Sequence, residues 1–303
     1  MKKLALRSCA CLAAALLAFP AAAQNADTLQ KIRQSGSVTM GVRDSSGALS
    51  YTLGNGAYVG YHVEVCQKVL ADIQQKLGVS KLDTRYQVVT SANRVPLVQN
   101  GTVDLECGST TNNLARQKDV AFAVTTFVEE VRIAVKANAG IHSLKDLSGR
   151  NIVTTSGSTS VQTLRKSERT NGFDLKIMFG KDHADSFLLL ESGRADAFVM
   201  DGSLLAGLIA KSRTPGDFKL VGEVLSVEPI AIMLRKDDAP FKKAVDDSLK
   251  QMMESGELTR IYEKWLMQPI PPSNIKIALP MSDSLKAAIA TPNDLPMEEY
   301  GKK

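Results

Sequence analysis

Residues 106–116 read ECGSTTNNLAR: a short apolar run ends, and the chain collects Ser109, Thr110, Thr111, Asn112 and Asn113 before a lone fixed cation, Arg116. Similar groups follow other apolar runs. Arg43 follows VTMGV, Ser91 and Arg94 follow YQVV, TSGSTS at 155–160 follows NIVT, Asp182 and His183 follow a run ending in Phe179, and Asp201 closes DAFVM. Arginine presents a planar fork that grips a carboxylate through two parallel N–H bonds, a geometry that lysine's point charge lacks. Serine and threonine hydroxyls donate and accept, and an aspartate receives a cation. Three arginines, one histidine and one aspartate suit a small ligand with two separated anionic groups and one cationic group. An acidic amino acid has that pattern. Charge-assisted hydrogen bonds of this kind contribute roughly 1.5–3 kcal/mol each. A few of them reach micromolar affinity, about −8 kcal/mol.

The elements that must carry these groups alternate. Residues 29–34 form a helical lead-in and 38–42 a strand. Cys66, Val69, Leu70, Ile73 and Leu77 recur at helical spacing, which predicts a helix over 61–77. A strand over 86–89, a helix around Pro96 that Asn100-Gly101 ends, and a strand over 103–107 complete a β-α-β-α-β unit. The pattern repeats as a strand over 150–155, a helix over 161–168, a strand over 175–179, a helix over 184–191 and a strand over 196–200. Shifting the chain by 92 residues lays LVQNGTVDLECGS at 97–109 on LLESGRADAFVMD at 189–201, matching Gly101 to Gly193, Asp104 to Asp196, Ser109 to Asp201 and Ser91 to His183. Two such units predict an α/β fold of two mainly parallel lobes. The chain crosses between them near 127–131 and 225–230, then ends in a helical stretch over 241–266 and a proline-rich tail at 269–280 that lies extended on the surface. In open parallel sheets, ligands sit outside the carboxyl ends of the strands, where the polar groups above fall.

Each of those residues also has an ordinary reading. Thr159 and Gln162 have capping-box spacing, Asp201 could cap a helix beginning near Ser203, and Arg116 could be a solvated surface residue. Arg94 opposes the dipole of the helix it opens, which favours an anionic neighbour. The convergence of nine such positions on strand ends argues for a shared site. Enzyme signatures are absent: no H-E-x-x-H, G-x-S-x-G, P-loop or C-x-x-C pair occurs. His62 and His142 read as surface residues, leaving no histidine set for a metal, and Trp265 reads as a packing residue.

The first residues, MKKLALRSCACLAAALLAFPAAA, combine a basic start, a short apolar run and an A-x-A site, which predicts a secretory signal peptide over 1–23. Cleavage would remove Lys2, Lys3 and Arg7, leaving 34 basic against 32 acidic residues and lowering the formal charge from +5 to +2. That near-neutral balance gives no electrostatic case for nucleic acid. Cys66 and Cys107 would be the cysteines left, either as a disulfide or as two buried thiols.

The sequence resembles the periplasmic solute-binding proteins of ABC transporters for polar amino acids. The matching stretches are GVRDSS at 41–46, VGYHVEVCQ at 59–67, TSANRVPLVQNGTVDLECGSTTNNLARQK at 90–118, VTTSGSTS at 153–160, KDHADSF at 181–187, LESGRADAFVMD at 190–201, MLRKDDAPFKK at 233–243 and PIPPSN in the tail. The superfamily commonly carries an acid where this chain has His62. The resemblance implies a type II periplasmic binding fold: lobe one at 27–128, lobe two at 129–226, and a return to lobe one with the tail at 227–303, joined by a two-strand hinge. It implies a ligand such as L-glutamate or L-aspartate, no cofactor, and an inner-membrane ABC permease as partner of a monomeric periplasmic chain. By position it implies that Arg116, Thr111 and Thr159 hold the ligand α-carboxylate, Asp201 and Ser109 the α-ammonium, and Arg43, Ser91, Arg94 and His183 the side-chain carboxylate. The rival expectations are a binder of another polar amino acid such as glutamine, a periplasmic dehydratase-type enzyme on the same scaffold, and a ligand-reporting partner of a membrane sensor.

Overall fold

The computed structural model describes residues 27–300, so the predicted signal peptide lies outside the described residues. In chain order the first unit runs α1 (Thr28–Ser35), β1 (Ser37–Val42), a small antiparallel sheet of β2 (Ser45–Ser46), β3 (Ser50–Gly54) and β4 (Ala57–Val59), then α2 (Tyr61–Leu77), β5 (Asp83–Val88), α3 (Arg94–Gln99), β6 (Leu105–Glu106), α4 (Leu114–Gln117) and β7 (Val120–Phe122). The second unit runs β8 (Phe127–Lys136), β9 (Asn151–Thr155), α5 (Ser160–Asn171), β10 (Lys176–Gly180), α6 (His183–Glu191), β11 (Ala197–Asp201), α7 (Gly202–Lys211) and β12 (Phe218–Ile230). The chain then adds β13 (Met233–Arg235), α8 (Ala239–Glu254), α9 (Glu257–Tyr262), the hairpin β14 (Pro269–Ile270) with β15 (Ile275–Lys276), and α10 (Asp283–Ala290).

Two five-stranded sheets result. One has the order β5-β1-β6-β13-β7 and the other β10-β9-β11-β8-β12. In each, the β/α/β strands run parallel, and one strand runs antiparallel to its neighbours: β13, a late addition to the first sheet, and β8, the strand that enters the second. The long strands β8 and β12 pair with each other from Phe127↔Ile230 to Phe218↔Lys136, and carry the chain between the sheets on two adjacent tracks.

The shift of 92 residues is more than a faint sequence echo. Asp104 receives the backbone N–H of Thr39 at 2.7 Å and returns its own N–H to Thr39 O at 2.9 Å. Asp196 does the same with Asn151, at 2.9 and 2.7 Å. Gly101 and Gly193 take left-handed conformations, φ 76° and 75°, that let each helix stop and the next strand begin. Each aspartate thus ties its strand to the first parallel strand of its own sheet, β1 or β9, at the end opposite the cleft. Ser109 and Asp201 are brought out at matching carboxyl ends.

Apolar packing follows the layers. Val98, Val103, Phe122 and Met233 cover one face of the first sheet, and Ile133, Ile152, Leu164 and Val199 one face of the second. A larger cluster, including Tyr61, Phe127, Leu204 and Tyr262, extends through the crossover region. Four expectations change. The stretch 241–266 is broken at Ser255-Gly256, where Gly256 has φ 71°, into α8, α9 and a π-helical turn over Glu263–Met267. The tail folds into a hairpin and α10, whose N-cap Ser282 accepts from Leu285 N–H at 3.2 Å, and then returns to donate Met297 N–H to Asn112 O. His62 is buried, because the Gly108 carbonyl and Thr126 close over its ring. Thr159 forms no capping box, since its hydroxyl is engaged across the cleft instead. Trp265 packs edge-on to Tyr51 at 6.2 Å, as a packing residue should.

Candidate functional site

The predicted residues fall between the facing edges of the two sheets. Arg43, directly after β1, is fully buried and its backbone N–H is anchored on Ser50 Oγ at 2.9 Å. Its guanidinium crosses to the other sheet and pairs with Asp182, which precedes α6 and also accepts from Ser45 Oγ at 2.6 Å. Arg94 is buried at the start of α3 and uses one terminal nitrogen on Ser109 O at 3.1 Å. Ser109 Oγ lies 3.1 Å from Ser46 Oγ. Arg116, half-buried, sits on α4, whose N-cap Asn113 accepts from Arg116 N–H at 2.8 Å. Its guanidinium donates to Thr111 O at 2.8 Å and across to Gly157 O at 3.1 Å.

From the second sheet come Thr159, ahead of α5, His183, the first residue of α6, and Asp201, the last of β11. The His183 Nδ1 lies 2.9 Å from Thr155 Oγ1, which also contacts Ser186 Oγ at 2.9 Å. Asp201 makes no cap bond to α7, so the capping role is not realised. The turn at Gly157 has φ 78°, and a Cβ there would lie 2.7 Å from Ala92 Cα and from Ser91 O of the facing unit. That turn is therefore both left-handed and pressed against its neighbour, two demands that glycine meets.

Several polar atoms have no partner although they are buried: Arg43 Nε and Nη1, Ser91 Oγ, Arg94 Nε, Glu106 Oε1 and His183 Nε2. A buried polar group without a partner costs about 1–3 kcal/mol, so five residues left this way around one cleft mark a place built for another molecule.

Electrostatics set the protonation states. Burial holds His183 well below the usual imidazole range, and the positive Arg43 and Arg94 add to that; its ring is neutral at pH 7. Burial lowers Arg94 and Arg116. Burial, then the negative charge of Glu228, pushes the Asp201 carboxyl up to about 7 against the pull of Arg94, Arg116 and Arg43. Burial would raise Asp182, but the positive Arg43 and the hydrogen bonds from Ser45 and Arg43 bring it below the usual carboxylate range. His62, on α2, donates Nδ1–H to Gly108 O at 2.5 Å, because a carbonyl can only accept, and so takes a proton from Thr126 on Nε2. Burial lowers it to about 4, and it serves as a fixed strut under the loop that carries Ser109.

Two residues near the cleft were not singled out by sequence. Glu228 and Glu129 face each other in the β8–β12 pairing, and both are buried. Neither gave a signal, since a glutamate on a crossover strand reads as a solvent-facing residue and each is hidden only once two sheets converge. Cys66 of α2 and Cys107 after β6 form a disulfide with Cα atoms 6.4 Å apart, which fixes the start of the Ser109 loop to a helix. Among the described residues no group of three His, Cys, Asp or Glu side chains is placed to hold a metal.

Two β/α lobes bridged by a pair of strands, with ligand-seeking groups at facing strand ends, define the architecture of type II periplasmic binding proteins. The chain belongs to the bacterial extracellular solute-binding proteins, family 3, whose model matches residues 38–268. It is similar to the L-glutamate/L-aspartate-binding protein of Pseudomonas aeruginosa, 45% identical across 94% of this chain and 95% of that one. It is also similar to the glutamate/aspartate import solute-binding protein of Escherichia coli, 43% identical across 96% and 95%. Among solved structures, one of the solute receptors for L-cysteine of Neisseria gonorrhoeae superposes with a TM-score of 0.69 at 24% identity, over 79% of this chain and 93% of that one. This family and the two named relatives are solute-binding proteins, not enzymes.

Proposed function

We propose that this chain captures L-glutamate and L-aspartate in the periplasm and delivers them, as a monomer, to an inner-membrane ABC permease. The lobes are taken as 27–128 with 227–303, and 129–226. The observation that carries the ligand class is the set of unpartnered buried donors on Arg43, Ser91, Arg94 and His183. They suit a second carboxylate that a neutral amino acid lacks. If Thr155 donates to His183 Nδ1, the ring proton sits on Nε2 and faces the same anion.

The α-amino acid end is served nearby. Thr111 bridges to Ile230 in an antiparallel pattern whose hydrogen bonds run through its neighbours, Asn112 N–H to Pro229 O and Ala231 N–H to Thr110 O. The Thr111 N–H and C=O therefore both point away from β12, toward the guanidinium of Arg116 that the carbonyl already holds. That N–H, Arg116 and the start of α5 at Thr159 form a carboxylate seat. Asp201, once ionised, receives the ammonium. Lobe one contributes the arginines and lobe two contributes Thr159, His183 and Asp201, so a bridging ligand favours the closed arrangement.

Isothermal titration calorimetry with the twenty amino acids tests this. Glutamate and aspartate should bind at micromolar Kd or tighter, and glutamine and asparagine at least 100-fold more weakly. Binding of glutamine or arginine without glutamate or aspartate would overturn the ligand class. Light scattering checks the monomer.

A further inference from the structure

We propose that Glu228 is a positioning residue that pins the two lobes together at the hinge and aims Thr111 and Thr159 at the ligand. It rests on the amino-acid-binding reading above. Glu228 lies on β12, one of the two strands that pass between the sheets, and is fully buried. One of its carboxylate oxygens accepts the hydroxyl of Thr111 at 2.6 Å and the hydroxyl of Thr159 at 2.7 Å. The other accepts Ser226 Oγ at 2.8 Å. Thr111 belongs to the loop after β6 of the first sheet, and Thr159 to the turn before α5 of the second. A single oxygen on the hinge therefore receives one donor from each lobe, and the two hydroxyls approach to 3.4 Å.

A hydroxyl has one proton. With both protons spent on Glu228, Thr111 and Thr159 cannot also donate their side-chain hydrogens to a ligand carboxylate. What they offer it is their backbone N–H, and Glu228 fixes the rotamers and the spacing that present those two N–H groups together. A separation of the lobes must break at least one of the two bonds, because the donors sit on opposite sides of the cleft. Glu228 thus contributes to closure as a protein–protein contact that a ligand completes. Its charge also reaches the ligand site: it is a neighbour of Asp201, which faces Glu129 on β8, and Arg43, Arg94 and Arg116 as well.

The test is a double-mutant cycle. Glu228→Gln keeps shape but removes the charge and one acceptor; Thr159→Val removes the donor, and Thr159→Ser retains it. Two readouts are taken: Kd for L-glutamate, or for whichever of the twenty amino acids binds if glutamate does not, and the interlobe distance distribution from paired spin labels with and without that ligand. Glu228→Gln and Thr159→Val should each weaken binding at least tenfold and reduce the closed population. The double variant should be little worse than either single one, and Thr159→Ser, which keeps the donor, should recover most of the affinity that Thr159→Val loses. The acid-side midpoint of binding should also move to lower pH in Glu228→Gln, as relief of repulsion on Asp201 requires. Additive effects in the cycle, or wild-type affinity and closure in Glu228→Gln, would overturn the proposal. Failure of wild type to bind glutamate or aspartate would instead overturn the ligand class, and the cycle would still report on Glu228 through the amino acid that does bind.

Discussion

At the scale of single residues, the cleft separates groups that are already satisfied from groups that are not. Arg94 spends one nitrogen on Ser109 O and leaves Nε free. Its replacement by alanine should therefore remove ligand contacts while relieving the crowding of three neighbouring cations. Arg94→Ala should weaken glutamate and aspartate by about 100-fold, near 3 kcal/mol for one or two charge-assisted bonds, with a melting temperature close to wild type. Arg94→Lys should recover only part of the loss, because the fork geometry is gone. A collapsed melt with normal binding by the surviving folded protein would make Arg94 structural. Asp201 supports a second expectation. Its carboxyl, pushed up to about 7 by burial and Glu228, must be ionised to hold an ammonium. Affinity should be level above pH 7 and fall as pH drops below it, roughly tenfold weaker at pH 6 than at pH 8. His62, at about 4, and His183, held low by burial, do not titrate in that window. Titrations in wild type and Asp201→Asn check it: the variant should bind weakly and lose the slope, and a flat wild-type profile from pH 5.5 to 8 would exclude the role.

At the scale of elements, the carboxyl ends of strands could be read from sequence because period, glycine punctuation and polar tips agree there. The helix at Tyr61–Leu77 was legible to the residue. Glu228, Glu129 and His62 were not legible, since their burial is created by other segments closing over them. Helix α10 was hidden behind the prolines before it, although Ser282 capping Leu285 is a local signal. The disulfide is the other element-scale feature, open between bonded and free from sequence alone. Its loop of 41 residues corresponds to roughly 4 kcal/mol of unfolded-state entropy. Cys66→Ser with Cys107→Ser should lower the melting temperature by on the order of 10 °C. Alkylation should label both thiols in denaturant only after reduction. Labelling without reductant, with an unchanged melt, would mean the bond does not form.

At the scale of the whole molecule, closure requires that the lobes approach where backbones nearly touch. Besides the Gly157 turn, α7 of lobe two meets the β2–β3 turn of lobe one through paired glycines. A Cβ on Gly207 would lie 3.1 Å from Gly47 Cα, and one on Gly47 would lie 3.2 Å from Leu204 Cα. Lys211, at the end of the same helix, rests its ammonium 3.7 Å from the centre of the Tyr51 ring, so the contact continues along α7. Gly207 lies inside a helix, where glycine is less favourable than alanine by about 1 kcal/mol. A larger residue there should leave α7 as stable or more so, yet wedge the lobes apart. Gly207→Leu should therefore unfold at or above the wild-type temperature without ligand, bind glutamate at least tenfold more weakly, and keep a larger radius of gyration in small-angle scattering at saturating ligand. The separation of those readouts is the point: a simple packing defect lowers the melt, whereas a wedge lowers only affinity and closure. Wild-type affinity together with a wild-type ligand-induced contraction would show that this glycine pair plays no part in bringing the lobes together.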